Sequence, residues 1–364
     1  MKSNIHNHYM GYALRLAARH IGMTGGNPSV GCVIVKDGMV IGTGTTAIGG
    51  RPHAEKIAID CAKHMGHQDL SGATAYVTLE PCAHVGQTGS CAERLIEAEV
   101  SACYIGLKDP DPRTAGKGIA KLEAAGIDTY VGLSGDKAAK VHRFFTTRIV
   151  QNRPYITLKS AMSLDGYIAF GEGNSRKTIT SDAARRDAHL LRLRYNAIAI
   201  GVNTLFDDDP ALDVRIGDLG AYSPDIVLFD RELKCSADAK ILNHMPDGRD
   251  RKIIIFHASG ADLHDKSHLT GNKNILLYPF SDDLSKAMQI LADLGISAVL
   301  IEGGAQLVTS FLNEELYDDI VLFRGDVLIG SDGLPAIGEL KSPIDMKSYE
   351  ALGSGHFFKK VDEG

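Results

Sequence analysis

The sequence predicts an α/β protein of two domains, on three observations. Its 364 residues exceed what one hydrophobic core usually supports. Helical and strand periodicities alternate along the chain. Near Gln151-Asn152-Arg153-Pro154 the pattern breaks and starts again. The first domain is therefore placed at residues 1–150 and the second at 154–364.

In the first half, Met10, Ala13, Leu14, Ala17, Ala18 and Ile21 recur at helical spacing. Residues 30–35 and 39–44 are apolar runs around Lys36-Asp37-Gly38, a hairpin signal. The breaker Gly49-Gly50-Arg51-Pro52 precedes a helical run over 54–65. A buried strand is expected over 73–79, then a helix over 92–98. A strand over 101–106 and a helix over 119–125, stopped by Gly126, complete the series. That order favours a mixed sheet sandwiched between helices.

The second half carries strand runs at 155–158, 197–201, 225–229, 252–256, 274–278 and 298–301. Helical stretches separate several of them, notably 182–195 behind the cap residue Ser181. Glu302-Gly303-Gly304 lies between the last strand and a helix over 306–312. A glycine turn there lets backbone amides approach a phosphate, although such pairs are commonly only turns. No Gly-x-Gly-x-x-Gly fingerprint is present, which disfavours a Rossmann domain.

Composition narrows the class of function. Lys and Arg number 39 against 45 Asp and Glu, a net charge of −6, so neither nucleic acid nor an anionic membrane is attracted in general. No apolar run approaches the roughly 18 residues of a membrane span, and the amino terminus has no apolar signal core. Six cysteines in such a chain argue for reduced thiols and metal chemistry, hence a cytoplasmic protein.

The chemistry concentrates in two short segments, His53-Ala54-Glu55 and Pro81-Cys82, with Cys91 eight residues further on. They offer one imidazole, two thiols and a carboxylate. A catalytic zinc needs three such protein ligands and an open position for water. His53, Cys82 and Cys91 are the candidate ligands for one zinc per chain. Glu55 is the candidate catalytic group, able to move protons between water and substrate. Zinc nucleobase deaminases use His-x-Glu and Pro-Cys in this way, ordinarily with two residues between the cysteines. A structural zinc with His84 as fourth ligand remains the alternative. Cys32, Cys61, Cys103 and Cys235 read as ordinary buried thiols.

Asn27-Pro28-Ser29-Val30-Gly31-Cys32, the zinc segments through Ala83-His84, and Asp109-Pro110-Asp111-Pro112 resemble the deaminase half of the bifunctional riboflavin-biosynthesis deaminase/reductases. The reductase half is resembled by Leu158-Lys159-Ser160-Ala161-Met162-Ser163-Leu164-Asp165-Gly166. The stretch from Thr204 to Leu212, then Arg215, then Glu302-Gly303-Gly304 continue that likeness. The resemblance implies a cytidine-deaminase-like α/β/α sandwich followed by a dihydrofolate-reductase-like α/β domain. It implies deamination of 2,5-diamino-6-ribosylamino-4(3H)-pyrimidinone 5′-phosphate, then NADPH-dependent reduction of its ribosyl group to ribityl.

Residue roles follow from the same resemblance. Asn27, His84 and Lys159 would meet the substrate of the deaminase. Arg192, Leu212, Arg215 and Glu302 would bind the substrate of the reductase, while Thr178, Thr204, Asp208, Gly303 and Gly304 would meet NADPH. Simpler readings stand beside some of these: a solvated strand lysine for Lys159, a helix-surface charge for Arg192, a turn carboxylate for Asp208. The expected partner is a small pyrimidine ribotide, with no nucleic acid and no membrane, in a homo-oligomer. Three departures from the family pattern are visible. Gln87 stands where Lys or Arg is common, Gly89-Ser90 replaces two prolines, and no tryptophan precedes Ile179-Thr180-Ser181. A monofunctional zinc deaminase with a nucleotide-binding or structural second domain stays open, as does a non-enzymatic zinc module.

Overall fold

A computed structural model describes residues 2–83, 89–171, 178–244, 246, 250–344, 349–352 and 357–360. The chain divides into two compact units, Met1–Arg153 and Pro154–Gly364.

The first unit runs α1 (Lys2–Ala17), β1 (Gly31–Lys36), β2 (Met39–Thr45), α2 (Ala54–His64), β3 (Thr74–Val77), α3 (Cys91–Glu97), β4 (Ala102–Ile105), α4 (Lys117–Ala124), β5 (Asp128–Val131) and α5 (Gly135–Gln151). Its sheet has the order β2-β1-β3-β4-β5. β1 is antiparallel to β2 and β3, whereas β3, β4 and β5 run parallel. Asp37 and Gly38 both take positive φ, 52° and 77°, the geometry a tight hairpin demands.

Alternation along β1 builds two cores. Cys32 and Ile34 pack with Ala58 of α2, Leu95 of α3 and Leu122 of α4. Val33 and Val35 face the opposite way, against Met10 and Leu14 of α1 and Ala138 of α5. The result is the expected α/β/α sandwich, with its central strands buried on both faces. Two elements, β5 and α5, carried no clear signal in the sequence. Three of the four β5 residues are exposed, and α5 buries His142 and Thr147 beside Ala138 and Phe144. Neither therefore shows a clean apolar period.

The second unit runs β6 (Tyr155–Met162), β7 (Tyr167–Ala169), α6 (Asp182–Arg192), β8 (Ala197–Gly201), α7 (Val202–Asp208), β9 (Asp225–Phe229), α8 (Lys240–Asn243), β10 (Ile253–Ala258), α9 (Ser267–Thr270), β11 (Ile275–Phe280), α10 (Leu284–Asp293), β12 (Ala298–Ile301), α11 (Ala305–Asn313), β13 (Asp319–Arg324), β14 (Leu334–Pro335), β15 (Tyr349–Leu352) and β16 (Phe357–Lys360). Among the described residues its main sheet has seven strands in the order β11-β10-β9-β8-β12-β6-β13. Every pairing in it is parallel. Such a sheet is covered on both faces, which is why Ile253, Ile254 and Ile255 are all buried in succession. The chain moves outward from β8 to β11, then returns to lay β12 between β8 and β6. That reversal opens a crevice at the carboxyl ends of β8 and β12, the place where open α/β sheets bind ligands.

Among the described residues, no helix is long and apolar enough to cross a membrane.

Candidate functional site

The local sequence delivers the three candidate zinc ligands to one point. His53 is the N-cap of α2. Cys82 follows β3, and Cys91 is the first residue of α3. Their donor atoms all lie within 4.8 Å of one another. His53 Nδ1 is 3.2 Å from Cys91 Sγ and 3.7 Å from Cys82 Sγ. Tetrahedral zinc, with bonds of roughly 2.1 Å to nitrogen and 2.3 Å to sulfur, spaces such donors about 3.6 Å apart. The donor set therefore fits zinc in both chemistry and spacing. The Cys91 thiol hydrogen-bonded to Cys82, with His53 beside it, pulls the Cys82 thiol down to about 4, and the Cys91 backbone amide donates to its sulfur at 3.3 Å. A thiolate is the form a metal requires.

Glu55 lies in the first turn of α2 and is 3 % exposed. Burial, reinforced by the neighbouring Cys82 thiolate, raises its carboxyl above the ordinary value. A carboxyl so tuned exchanges a proton readily in both directions.

The loop holding Cys82 is secured by a residue that sequence reasoning passed over. Glu80 is buried, and its carboxylate accepts from the amides of Asp109, Gly116, Gly118 and Ile119 at 2.9–3.3 Å. The signal available was a carboxylate at the end of an apolar strand, where only a structural partner makes burial tolerable. The Gly89-Ser90 departure has a structural counterpart too. Ser90 Oγ accepts from Glu93 N at 3.1 Å, and Glu93 Oε2 accepts from Ser90 N at 3.0 Å. This capping box fixes the start of α3, and hence Cys91.

A cavity of about 200 Å³ opens beside His53, Glu55 and Cys82, lined also by Asn27, Arg51 and Phe145. Asn27 Nδ2 donates to Gly50 O at 3.3 Å. Gly50 has φ +90°, and a Cβ there would stand 2.4 Å from Asn27 Nδ2. We expect Gly50→Ala to displace Asn27, raising KM for deamination about tenfold while zinc content stays at the wild-type level. Steady-state kinetics beside metal analysis measures both; an unchanged KM would leave Asn27 without a role. His84 and Gln87 lie outside the described residues.

In the second unit, Glu302 follows β12 and gathers Arg192, expected at the reductase substrate, and Lys159, expected instead at the deaminase substrate. Arg192, at the end of α6, donates to it from Nε at 2.8 Å and from NH2 at 3.0 Å. Lys159 Nζ on β6 stands 3.4 Å from Glu302 Oε2. Burial alone would push the Glu302 carboxyl up, but Arg192 and Lys159 hold it at about 2. The third arm of Arg192 donates to Asp213 O at 2.6 Å. The Arg192 fork thus holds a carboxylate, while Arg215, with Nε 3.4 Å from Asp213 Oδ1, has a side chain 70 % exposed to solvent. His189 and Asp213 join this cluster without having been singled out in the sequence. His189 Nδ1 is 3.1 Å from Asp213 O and 3.4 Å from Arg192 NH1. Burial and the adjacent arginines lower the His189 pKa. A histidine three residues before Arg192 on one helix face was the signal available.

Leu212 is buried with φ 51°, and its carbonyl accepts from the buried Arg251 NH2 at 2.7 Å. Thr204 and Gly304 meet across the sheet crevice, Gly304 N donating to Thr204 Oγ1 at 2.9 Å. Both line a cavity of about 530 Å³ that reaches Phe229, Arg231, Lys234 and Phe280. Its size and its position at the carboxyl ends of the strands suit a nucleotide cofactor. Gly303 adjoins this wall, whereas Thr178 and Asp208 are exposed and do not line it.

Comparison with known proteins agrees with both halves. Residues 154–358 match a family model described as the RibD C-terminal domain, and residues 3–107 match the cytidine and deoxycytidylate deaminase zinc-binding region. The chain is 38 % identical to the riboflavin biosynthesis protein RibD of Aquifex aeolicus, over 99 % of this chain and 100 % of that one. It is 34 % identical to the Escherichia coli protein of the same name, over 94 % of each. Among solved structures, Acinetobacter baumannii RibD superposes with a TM-score of 0.85 at 32 % identity, covering 99 % of both chains. A Thermotoga maritima diaminohydroxyphosphoribosylaminopyrimidine deaminase/5-amino-6-(5-phosphoribosylamino)uracil reductase does so at 0.83 and 28 %, again over 99 % of both.

Proposed function

The chain belongs to the RibD family of bifunctional, zinc- and NADPH-dependent riboflavin-biosynthesis deaminase/reductases, and on that premise we propose how its residues divide the two reactions. The first substrate is the diaminopyrimidinone ribotide, whose exocyclic 2-amino group is exchanged for the oxygen of water and leaves as ammonia. His53, Cys82 and Cys91 hold the zinc, which when bound supplies the Lewis-acid charge that makes water nucleophilic near neutral pH. Glu55 takes one proton from water and passes it to the ring nitrogen, then moves the second, from the hydroxyl so formed, to the departing amine, which leaves as ammonia. Asn27 holds the pyrimidine beside it. The observation that carries this reading is the His53–Cys82–Cys91 triangle set against a buried glutamate.

The second unit reduces the ribosyl group. NADPH, when bound, supplies the hydride for C1′ of the open-chain imine. Thr204 and the Gly303-Gly304 turn hold the cofactor in the crevice. Glu302 keeps Lys159 and Arg192 in place, and Arg215 offers its exposed guanidinium to the substrate phosphate. The carboxyl-terminal cavity and its Thr204–Gly304 contact favour this over a purely structural second domain.

We place the enzyme in the cytoplasm, supported by six free thiols among the described residues. A homo-oligomer is supported by edge strand β5, where Tyr130 and Val131 are 47 % and 49 % exposed. No nucleic acid or membrane partner is proposed, in keeping with the net charge of −6.

The deciding experiment supplies zinc-loaded protein with the ribotide and NADPH, following ammonia and absorbance together. Ammonia release followed by NADPH loss is expected. Ammonia alone would reduce the second unit to a binding role, and neither signal, with zinc confirmed, would overturn the reading.

A further inference from the structure

Among the described residues, the deaminase cavity is lined by four carboxylates and two guanidinium groups. Glu55 belongs to the chemistry. The other three carboxylates are engaged within the protein: Glu80 by four backbone amides, Asp109 by Asp111 N and Thr114 Oγ1, and Asp111 by the Arg113 fork. Among the described residues, the cations that line the cavity are Arg51 and Arg148. Both lie next to the loop that carries Asn27. Arg148, in the last turn of α5, donates from NH2 to Gly26 O at 2.6 Å. Asn27 Nδ2 donates to Gly50 O, the residue before Arg51.

We propose that Arg51 and Arg148 form the anion-binding end of the deaminase cavity and hold the phosphate of its substrate. This rests on the deaminase reading above. The substrate's two ends differ sharply in chemistry, a pyrimidine at one and a phosphate dianion at the other. With the pyrimidine beside Glu55 and Asn27, Arg51 and Arg148 are cations bordering the same cavity that the phosphate can meet. Guanidinium forks match phosphate geometry, and each donates more than one charge-assisted hydrogen bond. Arg148 is half-buried, and desolvation lowers its pKa. An arriving anion offsets that desolvation, so the residue gains most when the phosphate is bound. Arg51 is exposed on the Gly49-Gly50-Arg51-Pro52 turn and lines the same cavity as His53 and Glu55. It can therefore follow a substrate inward from the mouth. The pair gives the deaminase a means of selecting the ribotide over the phosphate-free riboside, a discrimination that the zinc centre itself cannot make.

The test compares ammonia release from the ribotide and from the corresponding riboside, using full-length zinc-loaded protein. For Arg51→Gln, KM for the ribotide should rise about 10- to 100-fold, with kcat within about twofold and KM for the riboside unchanged. Competitive inhibition by inorganic phosphate should weaken in parallel. Arg148→Lys, which keeps the charge but loses the fork, should show the same selectivity with a smaller rise. Metal content and NADPH oxidation report whether each variant is folded. An unchanged ribotide KM for Arg51→Gln, or equal rises for ribotide and riboside, overturns the proposal. Wild-type protein that releases no ammonia from either compound overturns the deaminase reading instead. Calorimetric titration with inorganic phosphate, wild type against Arg51→Gln, then decides the phosphate site separately, weaker binding by the variant supporting it and equal binding overturning it.

Discussion

Glu55→Gln should lower the rate of ammonia release by on the order of 1,000-fold while leaving zinc bound. Glutamine has nearly the shape of glutamate, so the packing of α2 around a residue only 3 % exposed is retained. What is lost is a group that can accept a proton from water and pass it on. NADPH oxidation with the already deaminated substrate should continue at the wild-type rate, because Glu302, Thr204 and Gly304 belong to the other unit. Ammonia release within a few-fold of wild type would remove Glu55 from the mechanism and revive a structural zinc.

Glu302→Gln should have the largest effect on stability. The carboxylate is buried and takes two bonds from Arg192 at 2.8 and 3.0 Å, with Lys159 at 3.4 Å. Removing its charge strands two cations in a low-dielectric site, a loss of about 3–5 kcal/mol. In a unit of this size that lowers the thermal midpoint by roughly 10 °C, and reductase activity should fall with it. The pH dependence has a definite sign. Glu302 titrates at about 2 in the folded protein and near 4.3 when unfolded. Its stabilisation is therefore complete above about 4.3 and fades as pH falls toward 2. Thermal unfolding should show wild type and variant far apart at pH 7 and converging near pH 3 and below. A constant gap across that range would mean that packing, not charge, is what Glu302 contributes.

The parts of the fold legible in the sequence were those with short-range signals. The hairpin over Asp37-Gly38 needs two residues of positive φ at a turn, and the helix behind Ser181 needs a side chain that accepts from Ala184 N. Strand β8, Ala197–Gly201, is apolar throughout and preceded by the polar Asn196. β5 and α5 were not legible, since one is mostly exposed and the other buries a histidine and a threonine. The candidate site divides in the same way. His53, Cys82 and Cys91 sit at helix starts and a strand end whose positions follow from local breakers and caps. Glu80 gave no comparable sign, because its partners lie 29 to 39 residues away.

By itself, the sequence determined the α/β class and pointed to the three candidate zinc donors and the candidate proton carrier Glu55, since each depends on residue type and spacing within a few turns of chain. Only the tertiary structure decided how the charges pair. Arg192 and Glu302 are 110 positions apart and meet because β12 returns to lie between β8 and β6. Arg51 and Arg148 border one cavity because the β2–α2 loop and the end of α5 both close on the Asn27 loop. Strand order sets such meetings, and strand order follows from the packing of whole layers rather than from any local run of residues.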